Sequence, residues 1–303
     1  MMGKVHVAII GAGLMGHGIA QVFAVHGHAV RIHDASAQAL AGVHRRVRDN
    51  LVDLGQDPSA AAGIELCAVL ADAVCDADVV FEAGPENLQL KQQLFAEIET
   101  FAPRTALLAS NTSVIPISRI MGGLRHRDRA LGTHWWNPPY LVPLVEVIQT
   151  ADTSAESMQR MTELLAAAGK TPVTVRKDVP GFVGNRLQHA LWREAIALVQ
   201  SGVCDAETVD TVVKSSFGRR LAVLGPLENA DLVGTDLTLA IHDTVLPDLD
   251  RSAEAQPYLR ELVSSGRLGM KSGEGFRRWS AEDQASLRQR VLAHLKVLNE
   301  QHQ

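Results

Sequence analysis

Lys4-Val-His-Val-Ala-Ile-Ile10-Gly11-Ala-Gly13-Leu-Met-Gly16 is the stretch that decides the fold. Its first seven residues are rich in β-branched side chains, as in a buried strand. Glycines follow at 11, 13 and 16, and then apolar residues at Ile19, Ala20, Val22 and Phe23 with helical spacing. After Gly27 comes a second strand-like run, Ala29-Val-Arg-Ile-His33, closed by Asp34. Strand, GxGxxG, helix, strand and acid form the succession of a dinucleotide-binding βαβ unit. Gly11 permits the tight turn, Gly13 lets the backbone approach a pyrophosphate, and Gly16 lets the helix pack close to the strand. The helix N-terminus faces the phosphates. Gly11, Ala12, Gly13, Leu14, Met15 and Gly16 are therefore expected to bind the cofactor. Asp34 would accept from a ribose 2′-hydroxyl and repel a 2′-phosphate, which points to NAD rather than NADP.

The same alternation continues outward. Asp78–Glu82 reads as a strand ending in the turn Ala83-Gly-Pro-Glu86-Asn87, Leu88–Phe101 as a helix, and Thr105–Ala109 as a strand running into Ser110-Asn111-Thr112-Ser113. Ligands of open α/β sheets bind beyond the carboxyl ends of the strands. Two polar loops, Glu86–Lys91 and Ser110–Ser113 with Asn111 in it, are thus placed to line a cofactor crevice. A further strand, Arg129–Thr133, delivers His134 to that edge. Pro138 and Pro139 then forbid helix and force a turn, and the apolar run Leu141–Ile148 carries a single carboxylate, Glu146. A carboxylate in such a run wants a cationic or hydrogen-bonding partner, and His134 lies across the hairpin-like return. Glu82, at a strand end, is not counted as catalytic.

Ala37–Gly55 reads as a helix broken by Asp57-Pro58-Ser59, with Arg45, Arg46 and Arg48 grouped in it. That cluster is either a solvated face or a phosphate-binding patch, for instance for a nucleotide-bearing acyl carrier. Glu156–Ala168 reads as a helix and Thr171–Arg176 as a strand. The period becomes helical from Phe182 onward, with Val183, Leu187, Leu191, Ala195 and Leu198 recurring on one face. The expected domains are residues 1–180, a doubly wound, mostly parallel sheet of Rossmann type, and residues 181–303, all helical. The apolar faces of the helical part suggest burial against a second copy.

Composition narrows the function classes. The chain has 303 residues, 46% hydrophobic and 21% charged, which suits a folded domain pair. A net charge of -5 offers no field for nucleic acid or an anionic membrane. No apolar run approaches the roughly 20 residues that span a bilayer, and no signal peptide is visible. Cys67, Cys75 and Cys204 form no CxxC pair, which suggests a reducing, cytoplasmic setting and no metal site.

With these residues assembled, the chain resembles the L-3-hydroxyacyl-CoA dehydrogenase superfamily along nearly its whole length. The matching motifs are GAGLMG at 11–16, Asp34, PENLQLK at 85–91, SNTS at 110–113, HWWNPP at 134–139, LVEVI at 144–148, GFVGNR at 181–186, GP at 225–226 and GMKSGEGF at 269–276. The resemblance implies a Rossmann-type domain, a helical domain that mediates homodimerisation, and NAD as cofactor. It implies that His134 and Glu146 form the catalytic pair, that Ser113 and Asn185 contact substrate, and that Lys271 joins the cofactor contacts. Asn185 would come from the helical domain, placing the site between the two. The reaction implied is reversible oxidation of a hydroxyl β to a carboxyl or thioester carbonyl, with His134 as base oriented by Glu146.

Where the acyl-CoA enzymes usually have two Phe after the His, this chain has Trp135 and Trp136. It also lacks a Lys two residues before Glu146, and clear counterparts of the CoA-binding Ser and Lys near Asn50–Asp57. These departures are more similar to the branch that oxidises free hydroxy acids, which includes L-gulonate 3-dehydrogenase (with lambda-crystallin) and L-carnitine dehydrogenase. The alternatives are a short-chain (S)-3-hydroxyacyl-CoA dehydrogenase, a non-catalytic crystallin-like NAD-binding protein, and a β-hydroxyacid dehydrogenase. The last would use a helix-borne Lys where this chain has Asn185.

Overall fold

The computed structural model describes residues 3–300. One compact unit runs to Arg186 and takes in the chain from Leu292; the other is Leu187–Val291. The division falls inside a helix, six residues beyond the turn-rich segment at 180.

The first unit is built on eight strands: β1 (His6–Ile10), β2 (Ala29–His33), β3 (Ile64–Cys67), β4 (Val79–Glu82), β5 (Leu107–Ser110), β6 (Ala130–Trp135), β7 (Leu144–Ile148) and β8 (Thr171–Val175). They lie in the order β3-β2-β1-β4-β5-β6-β7-β8. Every neighbouring pair is parallel except β6 with β7. The order reverses between β1 and β4, so the loops after these strands flank the switch point where such sheets bind ligands. Helices α1 (Leu14–Val25), α2 (Ala37–Ala41), α3 (Val43–Asp53), α4 (Leu70–Val74), α5 (Leu88–Phe101), α6 (Ile117–Met121) and α7 (Ala155–Ala167) provide the crossovers. β1, β4, β5 and β6 are almost wholly buried, which is why they read as continuous apolar runs. Two clusters fill the space on either face, one around Ile9, Phe23, Phe81 and Trp135, the other around Ala8, Val80, Phe95 and Leu108.

Sequence and structure differ at three places. The helix expected over 37–55 is two, α2 and α3, meeting at Gly42. β3 and α4 occupy a stretch that carried no expectation. β6 continues through Trp135, so His134 is a strand residue rather than the first residue of a loop.

The second unit holds most of α8 (Gly184–Gln200), then α9 (Ala206–Ser215), α10 (Pro226–Val233), α11 (Thr235–Val245), α12 (Pro257–Ser264) and the first half of α13 (Ala281–Glu300). Between α12 and α13 two isolated bridges close a tight loop, Gly269 with Glu274 and Glu274 with Arg278. Only Gln256 and Leu262 are buried in this unit.

Candidate active site

The antiparallel register of β6 and β7 sets His134 directly opposite Glu146. Directly opposed residues on one face of such a pair have Cβ atoms about 4.5–5.5 Å apart, so the two side chains meet without distortion. His134 Nδ1 lies 2.7 Å from Glu146 Oε2, with both residues buried. Glu146 Oε1 accepts from the backbone N–H groups of Val183 (2.9 Å) and Gly184 (3.0 Å). Burial works against the Glu146 charge, but hydrogen bonds from His134, Gly184 and Val183 outweigh it and hold the carboxyl below its usual range. A carboxylate can only accept, so Nδ1 carries the hydrogen and Nε2 of the neutral ring has its lone pair free. That is the form a general base requires.

Backbone constraints hold this pair. Phe182 adopts a left-handed conformation, φ 51°, directly after Gly181 at φ 73°. Such a conformation costs a phenylalanine about 1–3 kcal/mol. It places the Phe182 ring in the core, its centroid 5.7 Å from that of His134, and brings the next two amides onto Glu146. The Trp136 ring lies on the same side of β6, 5.1 Å from His134. A Cβ on Gly184 would come 2.5 Å from Trp136 Cζ2 and 3.4 Å from Glu146 Oε2, so only glycine fits there.

Asn185 Nδ2 donates to the Ser113 carbonyl at 2.8 Å. The sequence-expected partners Ser113 and Asn185 are thus brought together, and both belong to the first unit. Asn111, at the end of β5, accepts from Trp135 N–H at 3.0 Å. That bond ties β6 to the end of β5 beyond their last paired residues, Ser110 and Gly132. Lys271 lies in the second unit, exposed on the 269–274 turn.

The turn after β4 is tied down by charge. Glu82 is fully buried and accepts from Lys91 Nζ (2.6 Å), Ser110 Oγ (2.6 Å) and Gly84 N–H (2.7 Å). Glu86 accepts from the Thr112 hydroxyl and from Val114 N–H (3.3 Å), with Lys91 Nζ 3.8 Å away. Lys91 is therefore primarily the counter-ion of Glu82, a partner that sequence reasoning left aside although it stands at a strand end. The Val183 and Gly184 amides were also missed, since backbone donors have no residue signature.

The glycine loop fits a dinucleotide. Gly11 has φ 108°, and a Cβ there would lie 2.7 Å from the Ala83 carbonyl oxygen; one on Gly16 would lie 1.7 Å from the Gly11 carbonyl oxygen. Gly13 meets nothing within 4 Å and opens outward. It is the N-cap of α1, which has no side-chain cap and no acid in its first turn, so its amides are left for an anion. Asp34 accepts from Ala12 N–H (2.7 Å) and Ser36 N–H (2.7 Å), which fixes its carboxylate beside the loop. Among the described residues no group of three or more His, Cys, Asp or Glu is placed to hold a metal. Among the described residues no helix is long and apolar enough to cross a membrane.

Comparison with known proteins shows the family. Residues 6–179 match the family model of the 3-hydroxyacyl-CoA dehydrogenase NAD-binding domain, and residues 181–279 match that of its C-terminal domain. A 5-formyl-3-hydroxy-2-methylpyridine 4-carboxylate 5-dehydrogenase of Mesorhizobium japonicum is 36% identical over 290 residues, covering 93% of each chain. A crystal structure of an enzyme with that activity, described as an NAD+-dependent dismutase, superposes with a TM-score of 0.92 at 33% identity over 99% of both chains. The (S)-3-hydroxybutyryl-CoA dehydrogenase of Ralstonia eutropha gives 0.76 at 32% identity, over 91% of this chain and all of the other. The chain belongs to the 3-hydroxyacyl-CoA dehydrogenase family, NAD-dependent oxidoreductases acting on CH–OH groups.

Proposed function

We propose that this enzyme oxidises the hydroxyl of a small free hydroxy acid to the oxo product, with His134 as general base and Glu146 as its orienting partner. The observation that carries the reaction is the buried His134–Glu146 hydrogen bond, which leaves Nε2 as the proton acceptor. When bound, NAD supplies the hydride acceptor. Nε2 takes the hydroxyl proton as the carbon–hydrogen bond breaks, and Glu146 stabilises the imidazolium that results. In the reverse direction the imidazolium returns the proton to the carbonyl oxygen. Ser113 and Asn185 hydrogen-bond the substrate oxygens. Gly11–Gly16, Asp34, Glu86, Lys91, Asn111 and Lys271 serve the cofactor, Lys91 through its tie to Glu82 and Glu86.

Two observations support a free acid over an acyl-CoA. At nearly equal identity the chain superposes far better on the pyridine-carboxylate enzyme than on the hydroxybutyryl-CoA enzyme. Of the arginines that kept a CoA phosphate in play, Arg46 is engaged with backbone carbonyls. The second reading is a short-chain 3-hydroxyacyl-CoA dehydrogenase, favoured by the family itself. An NADH-absorbance screen decides between them by comparing acetoacetyl-CoA reduction with oxidation of 3-hydroxybutyrate, L-gulonate, L-carnitine and hydroxymethyl pyridine carboxylates. Turnover of the thioester alone would overturn the free-acid reading. Absence of NADH formation with every compound would favour a crystallin-like role.

The enzyme works as a homodimer in this reading. Leu187–Val291 has almost no core of its own, while Val223, Leu227 and Leu232 stand 86%, 80% and 75% exposed. Apolar surface on that scale calls for a partner, and a concentration-independent monomer in sedimentation would refute it. The setting is cytoplasmic, in keeping with three free cysteines.

A further inference from the structure

Of the clustered arginines 45, 46 and 48, two are exposed and one is turned inward. Arg46 Nη2 donates to the carbonyl oxygens of Ala12 (2.7 Å) and Ala39 (2.8 Å). Its Nε is sealed from solvent and has no partner among the described residues. Room for the guanidinium comes from Gly42, where a Cβ would stand 2.8 Å from Nη1. An arginine serving only as a solvated charge would not give up one of its donors to burial.

The carbonyl that Arg46 holds belongs to the glycine loop, at the residue whose N–H is held by Asp34. Ala12 is therefore pinned from both sides by opposite charges, in a loop already fixed by Gly11 and Gly16. The Arg46 charge also reaches the first turn of α1. His17 there is pushed below its ordinary value by burial; the Gly13 carbonyl opposes that shift and the Arg46 cation adds to it. The amides of this turn are the uncapped ones described above.

We infer that Arg46 is a positioning residue of the dinucleotide site, fixing the glycine loop through the Ala12 carbonyl and adding a permanent positive charge to the field in which the pyrophosphate binds. The inference concerns the cofactor alone, so it stands or falls independently of the substrate reading. It resolves the arginine cluster into one half-buried strut and two surface charges. It also gives the loop a cationic support that the GxGxxG pattern does not contain.

The test is NADH binding, followed by fluorescence, from low to near-molar potassium chloride, with melting temperature recorded for each variant. Arg46→Met should raise the NADH Kd about tenfold or more at low salt, the usual worth of a charge-assisted contact. The gap from wild type should narrow as salt screens the charge. Arg46→Lys keeps the charge but carries it on a shorter stem without the planar fork; it should recover part of the low-salt affinity. Arg45→Met and Arg48→Met make the same charge change on the exposed side of the helix and should leave Kd within about twofold. The inference is overturned if Arg46→Met binds NADH within twofold of wild type at low salt. A loss equal in Arg46→Met and Arg46→Lys and indifferent to salt would overturn it too, since that is packing alone, and so would an equal loss in Arg45→Met. Should Arg46→Met not fold, Arg46→Lys against Arg45→Met carries the same decision: unchanged affinity and salt slope in Arg46→Lys refute the loop-fixing role.

Discussion

Glu146→Gln replaces one oxygen of a buried carboxylate by an amide of the same shape. The Val183 and Gly184 N–H groups can only donate, so they retain the glutamine oxygen where Oε1 now sits, at 2.9 and 3.0 Å. The new NH2 must then face His134 Nδ1, at the present 2.7 Å contact. An NH2 donates, so Nδ1 has to become the acceptor and the ring hydrogen moves to Nε2. The proposed base is left holding a proton where it should receive one. Loss of the charge adds to this. A unit charge about 4 Å from the forming imidazolium is worth about 4 kcal/mol at an effective dielectric near 20, or about 10³-fold in rate. Tautomer reversal in a comparable acid–imidazole pair costs about 10⁴-fold. Single-turnover NADH formation should therefore slow by about 10³–10⁴-fold, with NADH affinity within twofold and the melting temperature little changed. A rate within tenfold of wild type would refute the tautomer argument. Loss of NADH affinity in the same proportion would show that the variant had disturbed the fold instead.

Gly184→Ala should destabilise by about 1–3 kcal/mol, the usual cost of overpacking, because its methyl would press on Trp136 at 2.5 Å; denaturant melts read this, and an unchanged midpoint contradicts it. Asp34→Ala removes the acceptor of Ala12 and Ser36 and should weaken NAD relative to NADP; an unchanged ratio of the two Kd values would show that Asp34 does not read the ribose. Lys170 donates to the carbonyls of Pro139 and Val142, and burial pushes it down to about 8. Its folded pKa lies below its unfolded one, so the stability linked to it is present above about 10.5 and lost as pH falls through 8. Wild type should gain stability over Lys170→Met between pH 8 and 10.5, and parallel melting curves across that window would contradict the assignment.

Much of the nucleotide half was legible because its constraints are local. The steric demand at Gly16 is met by an oxygen of Gly11, a few residues back, so the spacing itself carries the geometry. The His134–Glu146 pair was legible for a related reason: two prolines fix a return, and an antiparallel return brings residues at fixed offsets face to face. β3 left no comparable trace. It is a four-residue edge strand with Glu65 facing solvent, too short to show a period. Gly42 interrupts a helical pattern that the surrounding residues continue, and its reason for being there, the Arg46 guanidinium, arrives from the helix that follows it. The arginine cluster stayed ambiguous because the spacing of 45, 46 and 48 does not say which one turns inward. Asn185 was assigned to the helical part by its place in the sequence; that Glu146 and Ser113 hold Gly184 and Asn185 could not be read from spacing, since the partners lie far apart in the chain.

The sheet edge carries two buried carboxylates, and what separates their roles is the chemistry of the donors around them. Glu82 and Glu146 each accept three hydrogen bonds, including one or two from backbone amides. The cationic partner of Glu82 is a lysine, buried beside it and bonded also to the Gly84 carbonyl. A buried pair of that kind is costly to break, since removing one member leaves the other charge uncompensated. It suits a strut between the turn after β4 and the loop after β5. The partner of Glu146 is an imidazole, held through Nδ1 at 2.7 Å. While the ring is neutral the Glu146 charge is only partly answered, by an N–H rather than by a cation. In the proposed reaction the ring becomes a cation when Nε2 takes a proton from the substrate, and the Glu146 carboxylate then faces a full counter-charge. Each carboxylate has three hydrogen-bond donors in a buried setting; in the proposed reaction only Glu146 takes part, because its partner gains a proton.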